Sequence, residues 1–327
     1  METEPRKIPP PPRVIASFAS GFDAIANHIP VIVLPVLVDL FLWLGPHLGL
    51  KKLLQPLVDR LPVLAAQYSI PLPDPTAAVK TYTEFLNGFN LFAALRTFPV
   101  GVASLMSGQM ITQTPLGSPS GFEVTSFIGI LGCYLLIILT GWFLGSLYFH
   151  WVSGIALKMP RRAVMPSVLQ ALLLSAIWAA LLVAVSLPVL FLFSLLSLIS
   201  PVIAQGAILV IGLFALWVVL PVFFSPHGIF AYRQNALAAI LNGLRMIRYT
   251  MPTSGMFLLG LILVSQGLDF LWNTPAGDSW WMLVGIAGHA FISTALLAAS
   301  FVYYRDVNAW LKVIFEQLKI QPTSARV

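Results

Sequence analysis

The chain has 327 residues, of which 58% are hydrophobic and only 9% are charged, with a formal net charge of +6 and a mean hydropathy of +0.89. A typical soluble domain carries about 25% charged residues, so the composition excludes a soluble globular protein. The stretch from Ala163 to Tyr232 contains no Asp, Glu, Lys or Arg. We therefore expect an all-α fold, namely a polytopic integral membrane helical bundle.

The apolar segments predict the number of spans. A helix that crosses a membrane needs about 20 mainly apolar residues. Six segments meet this requirement: 29–49, 122–150, 166–194, 201–224, 254–272 and 281–303. They predict a six-span membrane domain over 29–303. We expect a Pro-rich tail and a short amphipathic stretch before it, at 1–28, and an amphipathic tail after it, at 304–327.

The first predicted span contains one acid, Asp39, in the run "VLPVLVDLFLWL". A carboxylate in hydrocarbon costs at least a few kcal/mol, so Asp39 should have a partner or a function. His289, in "VGIAGHAFIS", lies at a similar depth, since each residue is about nine positions from the outer end of its span. We predict that Asp39 and His289 form a buried polar pair. A proton site made by the same two residues is the alternative.

The segment 50–121 is too long for a plain connection, and loops of this length usually have structure or function of their own. Its second half is apolar but is interrupted by Glu84, Arg96 and Pro99. We interpret it as one or two helices that lie on the outer surface or cap the bundle. A re-entrant element remains open, because irregular backbone is tolerated at membrane depth where protein or water covers it.

The second span contains "GWFLG", in which Gly141 and Gly145 form a small-xxx-small pattern. Small residues at this spacing let another backbone approach a helix closely. We expect these glycines to serve packing inside the bundle, with a homo-oligomer as the alternative.

Basic residues predict the orientation. Cytoplasmic loops of membrane proteins carry an excess of Lys and Arg, and most of the 18 basic residues fall in segments on the side of the amino terminus. We therefore expect a bacterial inner (cytoplasmic) membrane protein with both termini cytoplasmic. This distribution explains the positive charge as a topology signal and argues against binding of nucleic acid.

The segment 229–249 has an apolar stripe at helical spacing, with basic residues on its other faces. Such a helix lies in the membrane interface with its basic face toward anionic headgroups. We predict a surface here for anionic lipid or a partner protein. The basic residues predicted for this surface are Arg233, Arg245 and Arg248 within the segment, and Arg161 and Arg162 before it.

The same region, "PVFFSPHGIFAYRQNALAAILNGLRMIRYTMPTSGMFLLGLIL", has a proline-ended span, a surface helix and a further span. The residues that form this pattern are Pro221, Ala236, Ala239, Leu244, Arg245 and Arg248. In this respect the chain resembles bacterial six-span membrane proteins related to the membrane domain of some glycerophosphodiester phosphodiesterases. The resemblance covers about a quarter of the chain. It implies a six-span architecture and leaves the activity open.

Motifs for catalysis or metal binding are missing from the sequence: there is no P-loop, nucleophile elbow, HExxH or DxD, and Cys133 is the single cysteine. We therefore expect no metal and no cofactor. The first hypothesis is a non-enzymatic accessory, assembly or scaffolding protein that organises membrane lipids or a membrane protein partner. The alternative is a carrier for a lipophilic or proton-coupled substrate that uses Asp39 and His289.

Overall fold

The computed structural model describes residues 10–68, 74–160 and 163–320, and they are overwhelmingly helical. This confirms the prediction of an all-α polytopic bundle. The α-helices are α1 (Val14–Ala26), α2 (Val33–Leu44), α3 (Lys51–Val58), α4 (Leu61–Gln67), α5 (Pro75–Gly88), α6 (Phe127–Ala156), α7 (Met165–Ile199), α8 (Pro201–Tyr232), α9 (Ala236–Trp272) and α10 (Met282–Ile320). Short 3₁₀ helices cover Ile29–Ile32, Leu91–Leu95 and Met106–Gly108, and two short strands are β1 (His47–Gly49) and β2 (Gly121–Glu123).

Within the described residues, five helices are long and apolar enough to cross a membrane, namely α6 to α10. A sixth span is present only if α1 and Ile29–Leu44, which form a strongly bent pair, count as one. The predicted first span at 29–49 is therefore not a single helix, because Ile29–Leu44 is the second half of the bent pair and β1 follows it. Helix α2 has only 12 residues, about 18 Å at 1.5 Å per residue, against a hydrocarbon core of about 30 Å. It ends before Pro46, because the residue preceding a proline disfavours helical backbone.

The last two helices join segments that the sequence analysis kept apart. Helix α9 runs from the predicted interfacial segment into the fifth span, with a break at Thr250, where φ is −129° and ψ is 19°. Helix α10 runs from the sixth span into the predicted tail as far as Ile320. The sequence from Tyr304 to Ile320 contains no Gly or Pro, so nothing local ends that helix.

The chain divides into two compact units. Unit 1 comprises the described residues of Met1–Ile29, Phe149–Ser265 and Thr294–Val327. Unit 2 comprises those of Pro30–Tyr148 and Gln266–Ser293.

Unit 1 has an aromatic core. Phe257 stacks on Tyr303 with ring centroids 4.2 Å apart, and Phe18 of α1 stacks on the same Phe257 at 5.1 Å. Helix α1 lies directly on α10, because a Cβ atom added to Gly21 would stand 2.4 Å from the backbone nitrogen of Ala299. The lack of a side chain at Gly21 thus allows this close approach.

Unit 2 holds the irregular part of the chain. Strands β1 and β2 pair in parallel, with His47 opposite Gly121. Leu91 and Leu95 form a small buried cluster with Ile137 of α6. The segment after α5 is therefore packed against a membrane-spanning helix.

Candidate functional site

Asp39 is completely buried in unit 2, and its partners lie in the irregular segment. The Ser104 hydroxyl donates to Oδ1 at 2.5 Å, and the Met106 N–H donates to the same atom at 3.0 Å. The Leu105 N–H donates to Oδ2 at 3.1 Å. These amides precede or begin the 3₁₀ helix Met106–Gly108, whose first N–H groups have no partner within the helix. Asp39 therefore caps this turn from a different part of the chain.

His289 has a different partner from the predicted one. Its Nδ1 lies 2.6 Å from Oδ1 of Asp269, and it lies within electrostatic range of Asp39. The predicted hydrogen-bonded pair of Asp39 and His289 is thus wrong, because His289 bonds to Asp269 and the hydrogen bonds of Asp39 come from residues 104–106. Nε2 of His289 is buried and has no hydrogen-bond partner among the described residues.

Asp269 is the residue that the sequence analysis missed here. It sits one turn before the end of α9, and its side chain is 21% exposed. Asp269 and His289 meet because the end of α9 packs against the start of α10. A Cβ atom added to Gly288 would lie 2.7 Å from the indole of Trp272.

Gly141 and Gly145 are packing residues, and their neighbour is irregular backbone. A Cβ atom at Gly141 would lie 2.5 Å from the carbonyl oxygen of Leu95. A Cβ atom at Gly145 would lie 2.5 Å from Cα of Gly101. The two glycines therefore allow a segment of the same unit, residues 95–101, to approach α6 closely.

The contacts of Gly141 and Gly145 indicate where part of the segment 50–121 lies along α6. Gly141 is the fifteenth of the 30 residues of α6, so residues 95–101 reach the middle of a membrane-spanning helix. This part differs from the expected helices on the outer surface and has the geometry of the re-entrant alternative. The physical reason is that α6 packs against this backbone and Asp39 of α2 accepts hydrogen bonds from the amides of Leu105 and Met106, as irregular backbone at membrane depth requires.

The predicted basic surface divides between two cavities of unit 1. Arg245 and Arg248 line one of about 480 Å³ together with Trp217, Pro221, Leu244, Ile247 and Tyr249. Arg233 lines another, in which Lys158 is a second cation. Arg161 and Arg162 lie outside the described residues.

The sequence analysis also missed a network of buried polar side chains in unit 1. The Tyr303 hydroxyl lies 3.2 Å from that of Ser254, which lies 2.9 Å from that of Thr250, and Thr250 donates to the carbonyl of Met246 at 2.8 Å. Because the Thr250 proton goes to that carbonyl, Ser254 donates to Thr250 and Tyr303 donates to Ser254. The chain of hydroxyl groups thus starts at the break in α9, which explains why a non-helical residue is tolerated there.

A second buried contact in the same unit joins His227 of α8 to Ser300 of α10 at 2.7 Å. Ser300 donates its own proton to the carbonyl of Leu297, so Nε2 of His227 carries the proton of this bond. Phe149, Phe223 and Phe301 surround the imidazole. The hydrogen bond satisfies Nε2 alone, since Nδ1 of His227 is buried and has no hydrogen-bond partner among the described residues.

Comparison of the chain with protein-family models, with curated proteins and with solved structures finds no match. The resemblance of residues 221–263 to six-span membrane proteins therefore stays a prediction. Any assignment of function depends on the geometry of the cavities and buried pairs.

Proposed function

We propose that the protein is a non-enzymatic integral membrane protein of the bacterial inner membrane that organises anionic lipid through basic side chains of unit 1. Both termini are cytoplasmic in this proposal, and a membrane protein partner held by the same charges is the competing occupant. The observation that carries the proposal is the cavity that contains both Arg245 and Arg248.

The lining of this cavity combines the two chemistries of a phospholipid. Two guanidinium groups provide charge and hydrogen-bond donors for a phosphate, whereas Leu244, Ile247 and Pro221 provide apolar surface. Trp217 and Tyr249 are the residue types that are enriched at the membrane–water interface. No Asp or Glu is among the described residues that line it, although Arg245 also lines a neighbouring cavity that contains Glu316.

Both arginines also contact an aromatic ring. The guanidinium of Arg245 lies 5.0 Å from the ring centroid of Phe315 on α10, and that of Arg248 lies 5.9 Å from the ring centroid of Tyr249. A cation over an aromatic face is attracted to it. Both heads are therefore partly ordered before a ligand arrives, which lowers the entropy cost of binding.

The test is a native mass spectrometry titration of the full-length chain with phosphatidylglycerol and, separately, with phosphatidylcholine. Each basic residue near an anionic surface contributes about 1 kcal/mol, so R245Q/R248Q should weaken phosphatidylglycerol binding about thirtyfold. The matched control is K51Q/K52Q, which removes the same charge from unit 2. Equal affinities in the two variants would contradict the proposal. A protein that copurifies stoichiometrically with the wild type but not with R245Q/R248Q would replace lipid with a partner as the occupant.

The second candidate function is a proton-coupled carrier, and the specific observation in its favour is the pair of Asp269 and His289. A histidine at 2.6 Å from a carboxylate, with its other nitrogen buried and unpartnered, has the composition of a proton site inside a membrane. In this version Asp39 has a structural role, because it accepts three hydrogen bonds from residues 104–106. Proton uptake into proteoliposomes that is lost in H289Q, with folding retained, would favour the carrier over the scaffold.

A further inference from the structure

A second cavity of unit 1, of about 440 Å³, lies where several helix ends meet. The carboxyl ends of α6 and α8 contribute to it, together with the start of α7 and His28 after α1. The polar and charged side chains in its lining are His28, His150, Lys158, Ser167 and Arg233. Among the described residues, its lining contains no Asp or Glu, so no carboxylate of that lining offsets the two permanent positive charges of Lys158 and Arg233.

Both cations sit at an unusual backbone position. Lys158 has φ of 51° and Arg233 has φ of 55°, so both are in the left-handed region, which residues with a Cβ atom avoid. Arg233 directly follows the last residue of α8, and Lys158 is the second residue after the end of α6. At α6 the Met159 N–H bonds to the carbonyl of Gly154, and at α8 the Arg233 N–H bonds to the carbonyl of Ile229. Glycine is the usual residue at this position in both kinds of helix ending.

Two basic residues thus replace the favoured glycine, and both line one cavity. A cation at a helix carboxyl end interacts favourably with the helix dipole, but this effect does not require both side chains to line the same space. Strained backbone persists where the surrounding structure and the function require it. Two basic residues with strained backbone that line the same cavity are the reason to consider a ligand with negative charge.

We infer that this cavity binds the phosphate of an anionic lipid headgroup. The ammonium of Lys158 and the guanidinium of Arg233 offer several donors to phosphate oxygens, and the hydroxyl of Ser167 offers another. Trp151 in the lining is a residue type that favours the headgroup level. The inference rests on the proposed function, because it takes the phosphate to belong to a lipid. It adds that the lipid bound at Arg233 is recognised by the phosphate of its headgroup.

The test uses the variant K158G/R233G of the full-length chain. Glycine suits both positions, so the variant should fold, and without ligand it should melt at a higher temperature than the wild type. Its affinity for phosphatidic acid, measured by native mass spectrometry, should nevertheless fall at least about tenfold, the effect of losing one charge-assisted hydrogen bond. The swap K158R/R233K keeps the charges and should keep most of the affinity. The control K51Q/K52Q should bind as the wild type does.

Several outcomes would overturn the inference. If K158G/R233G binds phosphatidic acid as tightly as the wild type, with or without the rise in melting temperature, Lys158 and Arg233 have only a structural role. Inorganic phosphate that raises the melting temperature of the wild type but not of K158G/R233G, without any selective binding of phosphatidic acid, would replace the lipid by a soluble phosphate compound. The proposed function fails separately: R245Q/R248Q that binds phosphatidylglycerol normally would refute it, while a loss confined to K158G/R233G would still support the phosphate cavity.

Discussion

Replacing Asp39 by leucine removes both acceptor oxygens that hold residues 104–106 against α2 and keeps the number of side-chain heavy atoms. Three donors lose their partner: the Ser104 hydroxyl and the amides of Leu105 and Met106. Each buried donor left without a partner costs about 1–3 kcal/mol, so D39L should lose roughly 3–9 kcal/mol of unfolding free energy. This is comparable with the whole stability of a typical protein, about 5–15 kcal/mol.

The variant D39N separates loss of hydrogen bonds from loss of the residue. An asparagine oxygen can keep the two donors of Oδ1, Ser104 and Met106, but its NH₂ group then faces the N–H of Leu105. One donor is lost, so D39N should cost about 1–3 kcal/mol. S104A should cost a similar amount, because the Ser104 hydroxyl also accepts from the Ser107 N–H at 3.1 Å.

The assay is equilibrium unfolding in mixed micelles, followed by tryptophan fluorescence, combined with hydrogen exchange at the amides of Leu105 and Met106. We expect the order wild type, then D39N and S104A, then D39L, with exchange protection at 105 and 106 lost in D39L. If D39L does not fold, D39N and S104A still test the reasoning. An unfolding free energy of D39L within about 1 kcal/mol of the wild type, or D39N as unstable as D39L, would refute it.

Two further predictions concern a glycine and a helix cap. G145A should destabilise the protein by about 1–3 kcal/mol, the usual cost of overpacking, because the new Cβ would lie 2.5 Å from Cα of Gly101. The control is G132A on the same helix, where nothing lies within 4 Å, and it should be neutral or stabilising. Thermal melting of the two variants compares their stabilities. The hydrogen bond from the Thr76 side chain, followed by that from a backbone amide, lowers the pKa of Asp74 below 3.8. Asp74 caps α5, so its contribution is present above pH 3.8 and is lost as the pH falls through the lowered value. Protection factors of the first amides of α5 should drop in that acid range, and in D74N they should show a smaller dependence on pH.

The class of fold could be predicted from composition, because a chain with so few charges has no other solvent than lipid. Lengths of elements were less predictable. Polar residues set the predicted start of the fifth span and the predicted end of the sixth, whereas α9 already begins at Ala236 and α10 continues to Ile320 through residues that favour helix. Apolar character sets where a helix meets lipid, but only Gly, Pro and capping residues set where it ends.

The burial of Asp39 was also predictable, from the cost of a charge in hydrocarbon, but its partners were not. Ser104 lies 65 residues away in the sequence, in a segment without periodicity, and two of the three donors are backbone amides, which leave no mark on residue type. Gly141 and Gly145 indicated a close approach correctly. A spacing pattern on one helix carries no information on whether the neighbour is a helix or an irregular chain.

The bond between Asp39 and the segment 104–106 also sets an order of events during biosynthesis. Chains are synthesised at about 5–20 residues per second, so Asp39 leaves the ribosome roughly 3–13 s before its donors exist. The backbone cover that α6 supplies through Gly145 comes later still. During this interval α2 is too short to cross the bilayer and carries an unpartnered acid, so stable insertion of this region must wait until α6 has been made. The fold of unit 2 is therefore assembled after insertion of its second half, and a nascent chain truncated before Gly145 should leave α2 accessible to water-soluble labelling reagents.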